Sequence, residues 1–165
     1  MILLKNVLVA TDFGEASDAA LRYGRALARS FGATLHVMHV AENVFTRGIG
    51  SDAYIAVFPD LQKDVEEAAR KQLDALLTDD DRTTLKAVPV SLTSNTPAAA
   101  IVGYAKDAGI DLVIVGTHGR GAVAHLLMGS VAERVVRTAS CPVLTVRYPE
   151  HDFVVPDAQA PEPHA

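Results

Sequence analysis

Residues 111–137 read DLVIVGTHGRGAVAHLLMGSVAERVVR, and the fold turns on this stretch. A strand is expected from Asp111 to Val115, then a loop opened by Gly116 and closed by Gly129-Ser130, then a helix. Gly116, Gly119 and Gly129-Ser130 give the spacing G-x-x-G-x9-G-S. Glycines let a backbone take φ > 0 and come close to a ligand. The first turn of the following helix carries unpaired N–H groups at the positive end of its dipole. Together these parts make an anion site, and the rest of the chain is expected to supply a sugar-and-base pocket beside it.

Upstream, Val7–Ala10 is a short, uniformly apolar run ending at Thr11-Asp12, which fits a buried parallel strand. A helical stripe of Ala16, Ala20, Tyr23, Leu27 and Phe31 follows, with Arg22, Arg25 and Arg29 on a solvated face and Gly32 as the stop. Thr34–Val40 is the second strand. Its His36 and His39 point to opposite faces, so they do not share a metal. Residues 41–59 have no period and read as a loop. Asp60 caps a helix whose buried stripe is Val65, Ala69, Leu73 and Leu76. Asp79-Asp80-Asp81 would be unfavourable at its C-terminus and is assigned to the next loop.

Leu85–Leu92 is the third strand, which Pro89 weakens or places at an edge. Thr96-Pro97 opens a helix through Ile101, Tyr104 and Ala108, ended by Gly109. After the glycine loop, Ser130 and Glu133 have capping-box spacing, with Arg134 and Arg137 toward the far end of the helix. Pro142–Val146 is the fifth strand. From Tyr148 onward, prolines without an apolar period predict a disordered tail over 148–165. The alternation specifies an α/β fold: a five-stranded parallel sheet with helices on both faces, Rossmann-like. Ligands of such sheets sit outside the strands' carboxyl ends, where strand order reverses. Thr11-Asp12, His39-Val40 and Gly116 fall at such ends.

The chain has 165 residues, of which 49% are hydrophobic and 21% charged, as in an ordinary single globular domain. A net charge of -5 speaks against a nucleic-acid binder, which shows a basic face. No apolar run approaches the roughly 20 residues that cross a bilayer. Lys5 and Asn6 interrupt the apolar start, so no signal-peptide layout is read. The single cysteine, Cys141, permits no internal disulfide and reads as a small buried residue. A cytoplasmic protein is expected.

Other phosphate motifs fit worse. Residues 119–124 match a G-x-G-x-x-A pattern, but three residues past the strand and without the acidic partner about 20 residues on. No Gly-Lys-Ser/Thr follows the loop, as a Walker A motif needs. The expected phosphate ligands are backbone N–H groups, the Ser130 hydroxyl and Arg120. Asp12 can accept from ribose hydroxyls or hold a water of a divalent ion; equally, it can be a turn residue. Val40 can offer its backbone to an adenine edge or be plain core. His118 and His125 read as loop residues. Leu126-Leu127-Met128 can pin the loop or face a second subunit. No G-x-S-x-G elbow, carboxylate pair or His/Cys cluster marks a hydrolase triad or metal enzyme.

These residues resemble the universal stress protein family. The likeness runs from about Lys5 to Arg147. It is carried by Val7-Leu8-Val9-Ala10-Thr11-Asp12-Phe13, the Leu35–Val40 strand, Gly116-Thr117-His118-Gly119 through Gly129-Ser130, and Ser140-Cys141-Pro142-Val143-Leu144. It implies a domain over 1–147 with an adenine nucleotide alpha hydrolase-like sheet, and a homodimer joined along the last strand. It implies ATP binding with Mg2+ or Mn2+ at the phosphates, in a nucleotide-dependent stress-response module. The alternative is a slow ATP hydrolase or adenylate-transferring enzyme. On that likeness Asp12 lies near the ribose, beside Ala10 and Thr11, and Val40 near adenine. Gly116, Thr117, His118, Gly119, Arg120, Gly129 and Ser130 surround ribose and phosphates, and Val131 adds an N–H. Gly14 departs from the pattern, where many members have serine. The turn Ser94-Asn95-Thr96-Pro97 lacks a common glycine.

Overall fold

The computed structural model describes residues 1–44, 60–117 and 129–149. Its five strands are β1 (Asn6–Ala10), β2 (Thr34–Ala41), β3 (Val88–Thr93), β4 (Leu112–Gly116) and β5 (Val143–Val146). They form one parallel sheet in the order β3-β2-β1-β4-β5. Helices α1 (Glu15–Phe31) and α2 (Leu61–Leu76) cover one face, and α4 (Pro97–Asp107) and α5 (Ser130–Thr138) the other. A short α3 (Asp79–Thr83) lies between α2 and β3. This is the α/β architecture the alternation predicts.

Val7, Leu8 and Val9 are fully buried, because a central parallel strand has helices over both faces. The pleat divides the core in two. Val7, Val9, Leu35, Val37 and Ile114 pack with α1 and α2, and Leu8, Met38, Val113 and Val115 with α4 and α5. Gly32, at φ 64, ends α1 as expected. Pro97 begins α4 after Thr96. Pro89 lies on β3, an edge strand, where a missing N–H is tolerated.

Several expectations need correction. Asp79-Asp80-Asp81 is not loop but the start of α3, capped by Thr78, whose hydroxyl accepts from the Asp81 N–H at 3.1 Å. Acidic residues are favourable there because they meet a helix N-terminus rather than a C-terminus. Arg25 and Arg29 are not simply solvated. Arg25 Nε and Nη2 hold the Asp81 carboxylate at 2.9 and 2.6 Å, and Arg29 pairs with Asp80. Asp81 is buried; burial alone would raise its pKa, but the Arg25 and Thr78 hydrogen bonds outweigh that and leave it below the usual value. Phe31, expected in the buried stripe, is 39% exposed at the end of α1. β3 begins at Val88 rather than Leu85, after a turn with Lys86 at φ 49. Cys141 is half-buried, with its thiol pKa pushed up by burial.

The loop expected over 41–59 falls mostly outside the described residues. His118, Gly119, Arg120, His125 and Leu126-Leu127-Met128 also lie outside them, as does the tail from residue 150 on.

Candidate functional site

Strand order reverses between β1 and β4: the chain builds β1, β2 and β3 to one side, then returns to lay β4 and β5 on the other. Neighbouring strands there end side by side, with Ala10 opposite Val115. The turns leaving them diverge, which opens a crevice above their carboxyl ends. Ala10, Thr11 and Asp12 leave one lip, and Gly116 and Thr117 the other. Val40 lies one strand further over, near the end of β2.

The start of α5 is tied to this crevice by a backbone bond: the Gly129 N–H donates to the Thr117 carbonyl. The Thr117 N–H in turn donates to the Val146 carbonyl at 2.8 Å. Gly129 is the N-cap and has no side chain to offer, so α5 begins without a side-chain cap. The first helical bond runs from the Glu133 N–H to the Gly129 carbonyl at 3.0 Å. The amides of Ser130, Val131 and Ala132 precede it, as first-turn amides do. Ala132, Ala10, Val40 and Val115 belong to one apolar cluster, so helix start, first-strand end and second-strand end are brought together.

Two sequence readings change here. Ser130 is not the cap; it is the first helical residue and is exposed, while Glu133 pairs with Arg137 at 2.9 Å instead of closing a capping box. Neither Gly116 nor Gly129, the two described glycines of the spacing, takes φ > 0. Gly129 sits at φ -69, ψ 151, which any residue adopts. Gly116 is required for packing: a Cβ there would lie 2.7 Å from the Ala16 carbonyl carbon and 2.9 Å from its Cβ. The close approach at Gly116 is to helix α1.

The β1–α1 turn is tightly tied. The Thr11 N–H donates to the Met38 carbonyl, and the Thr11 carbonyl accepts from His39 Nδ1, both at 2.8 Å. The Thr11 hydroxyl accepts the Phe13 N–H at 2.9 Å and lies 3.1 Å from Ser17 Oγ. Both backbone groups and the hydroxyl of Thr11 are therefore bonded within the chain. Asp12 Oδ1 accepts the Gly14 N–H at 3.1 Å, so the turn role foreseen for Asp12 is present. Phe13 stands at φ 62, in the left-handed region that costs an L-residue about 1–2 kcal/mol. No residue type in the turn announces this; the surrounding bonds impose it.

His36 and His39 do point to opposite faces: His36 Nδ1 lies 2.8 Å from the Tyr104 hydroxyl on the α4 side, and burial lowers its pKa. Among the described residues no group of three or more His, Cys, Asp or Glu side chains comes together. No described helix is long and apolar enough to cross a membrane. Chemically, the described residues of the crevice offer backbone donors at a helix start, the Asp12 carboxylate, and an apolar wall ending at Val40.

A model of the universal stress protein family matches residues 4–147. A putative universal stress protein of Staphylococcus epidermidis is 33% identical over 152 residues, covering 91% of this chain and 88% of that protein. Among solved structures, universal stress protein UspA from Lactobacillus plantarum superposes with a TM-score of 0.72 at 22% identity, over 89% of this chain and 100% of that one. The universal stress protein from Archaeoglobus fulgidus in complex with dAMP superposes with a TM-score of 0.52 at 21% identity, over 88% and 99% of the two chains.

Proposed function

The chain belongs to the universal stress protein family, and from that premise we propose that it binds ATP in the crevice between β1 and β4. It acts as a nucleotide-dependent dimeric module in the stress response rather than as a fast catalyst. The observation that carries this reading is the uncapped start of α5, fixed by Gly129 to the end of β4 beside the Asp12 turn. Uncapped first-turn amides attract anions. A dAMP complex of the Archaeoglobus fulgidus protein with this fold supports an adenine nucleotide as the ligand.

In this reading Ser130 and Val131 meet phosphate, and Gly129 leaves room for its approach. Val40 lines the base, and Asp12 meets the ribose or a metal-bound water. Ala10, Thr11, Gly116 and Thr117 shape the walls. His118, Gly119 and Arg120 complete the phosphate loop, a role that rests on the family resemblance. Asp12 is the one carboxylate among these residues, so a divalent ion, Mg2+ or Mn2+, would depend on the phosphates for most of its ligands, as Mg2+ commonly does. The binding unit is 1–147, close to the extent of the family match. Dimerisation along β5 is supported by its place at an edge of the sheet, since exposed edges call for covering. A cytoplasmic location is supported by the single cysteine, which suits a reducing compartment.

Equilibrium titration with ATP, followed by product analysis, tests the reading. Saturable binding with ATP recovered unchanged is expected. No binding removes the site; ADP, or AMP with pyrophosphate, would replace the module with an ATP hydrolase or an adenylate-transferring enzyme.

A further inference from the structure

We propose that His39 is the positioning residue of this crevice, clamping the turn that carries Asp12. Its consequence for affinity rests on the nucleotide reading above; its geometry does not. Consecutive residues of β2 grip Thr11 from both sides: the Met38 carbonyl takes the Thr11 N–H, and His39 Nδ1 lies 2.8 Å from the Thr11 carbonyl. A carbonyl only accepts, so Nδ1 carries the hydrogen. The next residue, Val40, is the one assigned to the base. One short piece of strand therefore sets the height of the base wall and of the Asp12 turn together.

The His39 ring also packs on Phe13, with centroids 4.4 Å apart and planes at 34°. Phe13 is the residue at φ 62. A left-handed aromatic residue persists only where its surroundings over-determine it. Here they do: its N–H is held by the Thr11 hydroxyl, its ring by His39, and the Gly14 N–H after it by Asp12 Oδ1 and Ser17 Oγ at 3.1 Å each. Without the His39 bond the Thr11 carbonyl is released, Phe13 relaxes toward ordinary φ, and the Asp12 carboxylate moves with the turn.

Two substitutions separate the bond from the packing. His39→Asn places an amide nitrogen where Nδ1 stands and keeps the donor; His39→Phe keeps a ring against Phe13 and loses the donor. The amide resonances of Asp12, Phe13 and Gly14 are followed in the unliganded full chain, and ATP affinity is measured on the same samples. His39→Phe should move those resonances and weaken ATP binding about tenfold, the loss expected for one hydrogen bond. His39→Asn should stay within about twofold of wild type, since the bond is restored. Ring 15N shifts of wild-type His39 should report hydrogen on Nδ1. Unmoved resonances in His39→Phe, equal losses in both variants, or a bare Nδ1 would overturn the clamp. If wild type fails to bind ATP, the nucleotide reading falls, and the unliganded resonances still decide the clamp alone.

Discussion

Substituting Gly116→Ala separates two reasons for a glycine at the end of β4. The added Cβ would sit 2.7 Å from the Ala16 carbonyl carbon and 2.9 Å from the Ala16 oxygen and Cβ. Two of these three atoms are backbone of α1 and cannot rotate away, so helix and strand must part by several tenths of an ångström. Forced overpacking of this kind costs about 1–3 kcal/mol. For a domain of this size that lowers the melting temperature by roughly 2–12 °C, at about 2–4 °C per kcal/mol. Urea denaturation gives an independent reading, a fall in midpoint on the order of 1 M for an m-value near 2 kcal/mol/M. Ala16→Gly in the same background should recover only part of the loss, because the carbonyl contacts remain. Gly129→Ala is the control: its backbone angles suit alanine, and a poorer N-cap costs no more than about 1 kcal/mol. It should keep the fold and weaken ATP binding. An unchanged melting temperature in Gly116→Ala with ATP binding abolished would refute the packing argument, and would show that this glycine serves the ligand after all.

Three further outcomes follow from the same structure. Asp81→Ala leaves the partly exposed Arg25 without its carboxylate and should destabilise by about 1.5–3 kcal/mol, the loss of charged hydrogen bonds; because the Asp81 pKa is lowered, its contribution is complete above the ordinary aspartate value near 4 and is lost as pH falls below it. The lowered pKa of His36 means the unfolded chain takes up the proton first, so stability should fall as pH drops below about 6.5, and His36→Phe should flatten that slope in pH-dependent melting curves. Val113 and Thr117 donate to the Pro142 and Val146 carbonyls, so the backbone groups of Thr145 alternate outward from the ladder; Thr145→Pro should therefore convert a dimer to a monomer in sedimentation while leaving the melting curve nearly unchanged.

Strands β1 and β4 were legible because each carries a short, uniformly apolar run, Val7–Ala10 and Leu112–Val115, as strands covered on both faces do. Alternation with helices pointed to the carboxyl ends of a parallel sheet, but which strands flank the reversal is seen only in the fold. Less visible were features made by contacts distant in sequence. Arg25 looks solvated on a helical wheel, and only the fold brings Asp81 to it across more than fifty residues. The start of α3 does leave a local trace, Thr78 three residues before Asp81, but the acidic run also stands close behind α2, where the same charges would be unfavourable. At the crevice, Gly116 and Gly129 lie at two segments that the fold joins through Thr117, but one glycine admits a helix and neither takes φ > 0. The grip of His39 on Thr11 and Phe13 had no local signal, because it does not exist until β1 and β2 are side by side.

The most direct test of the account is to follow the amide resonances of Val40, Ser130, Val131 and Ala132 during titration with ATP and, separately, with adenosine. ATP should shift all four, and adenosine should shift Val40 while leaving the three first-turn amides of α5 in place. If ATP leaves Ser130, Val131 and Ala132 unmoved, phosphate does not meet the start of that helix, and the claim that the crevice binds a nucleotide there is wrong.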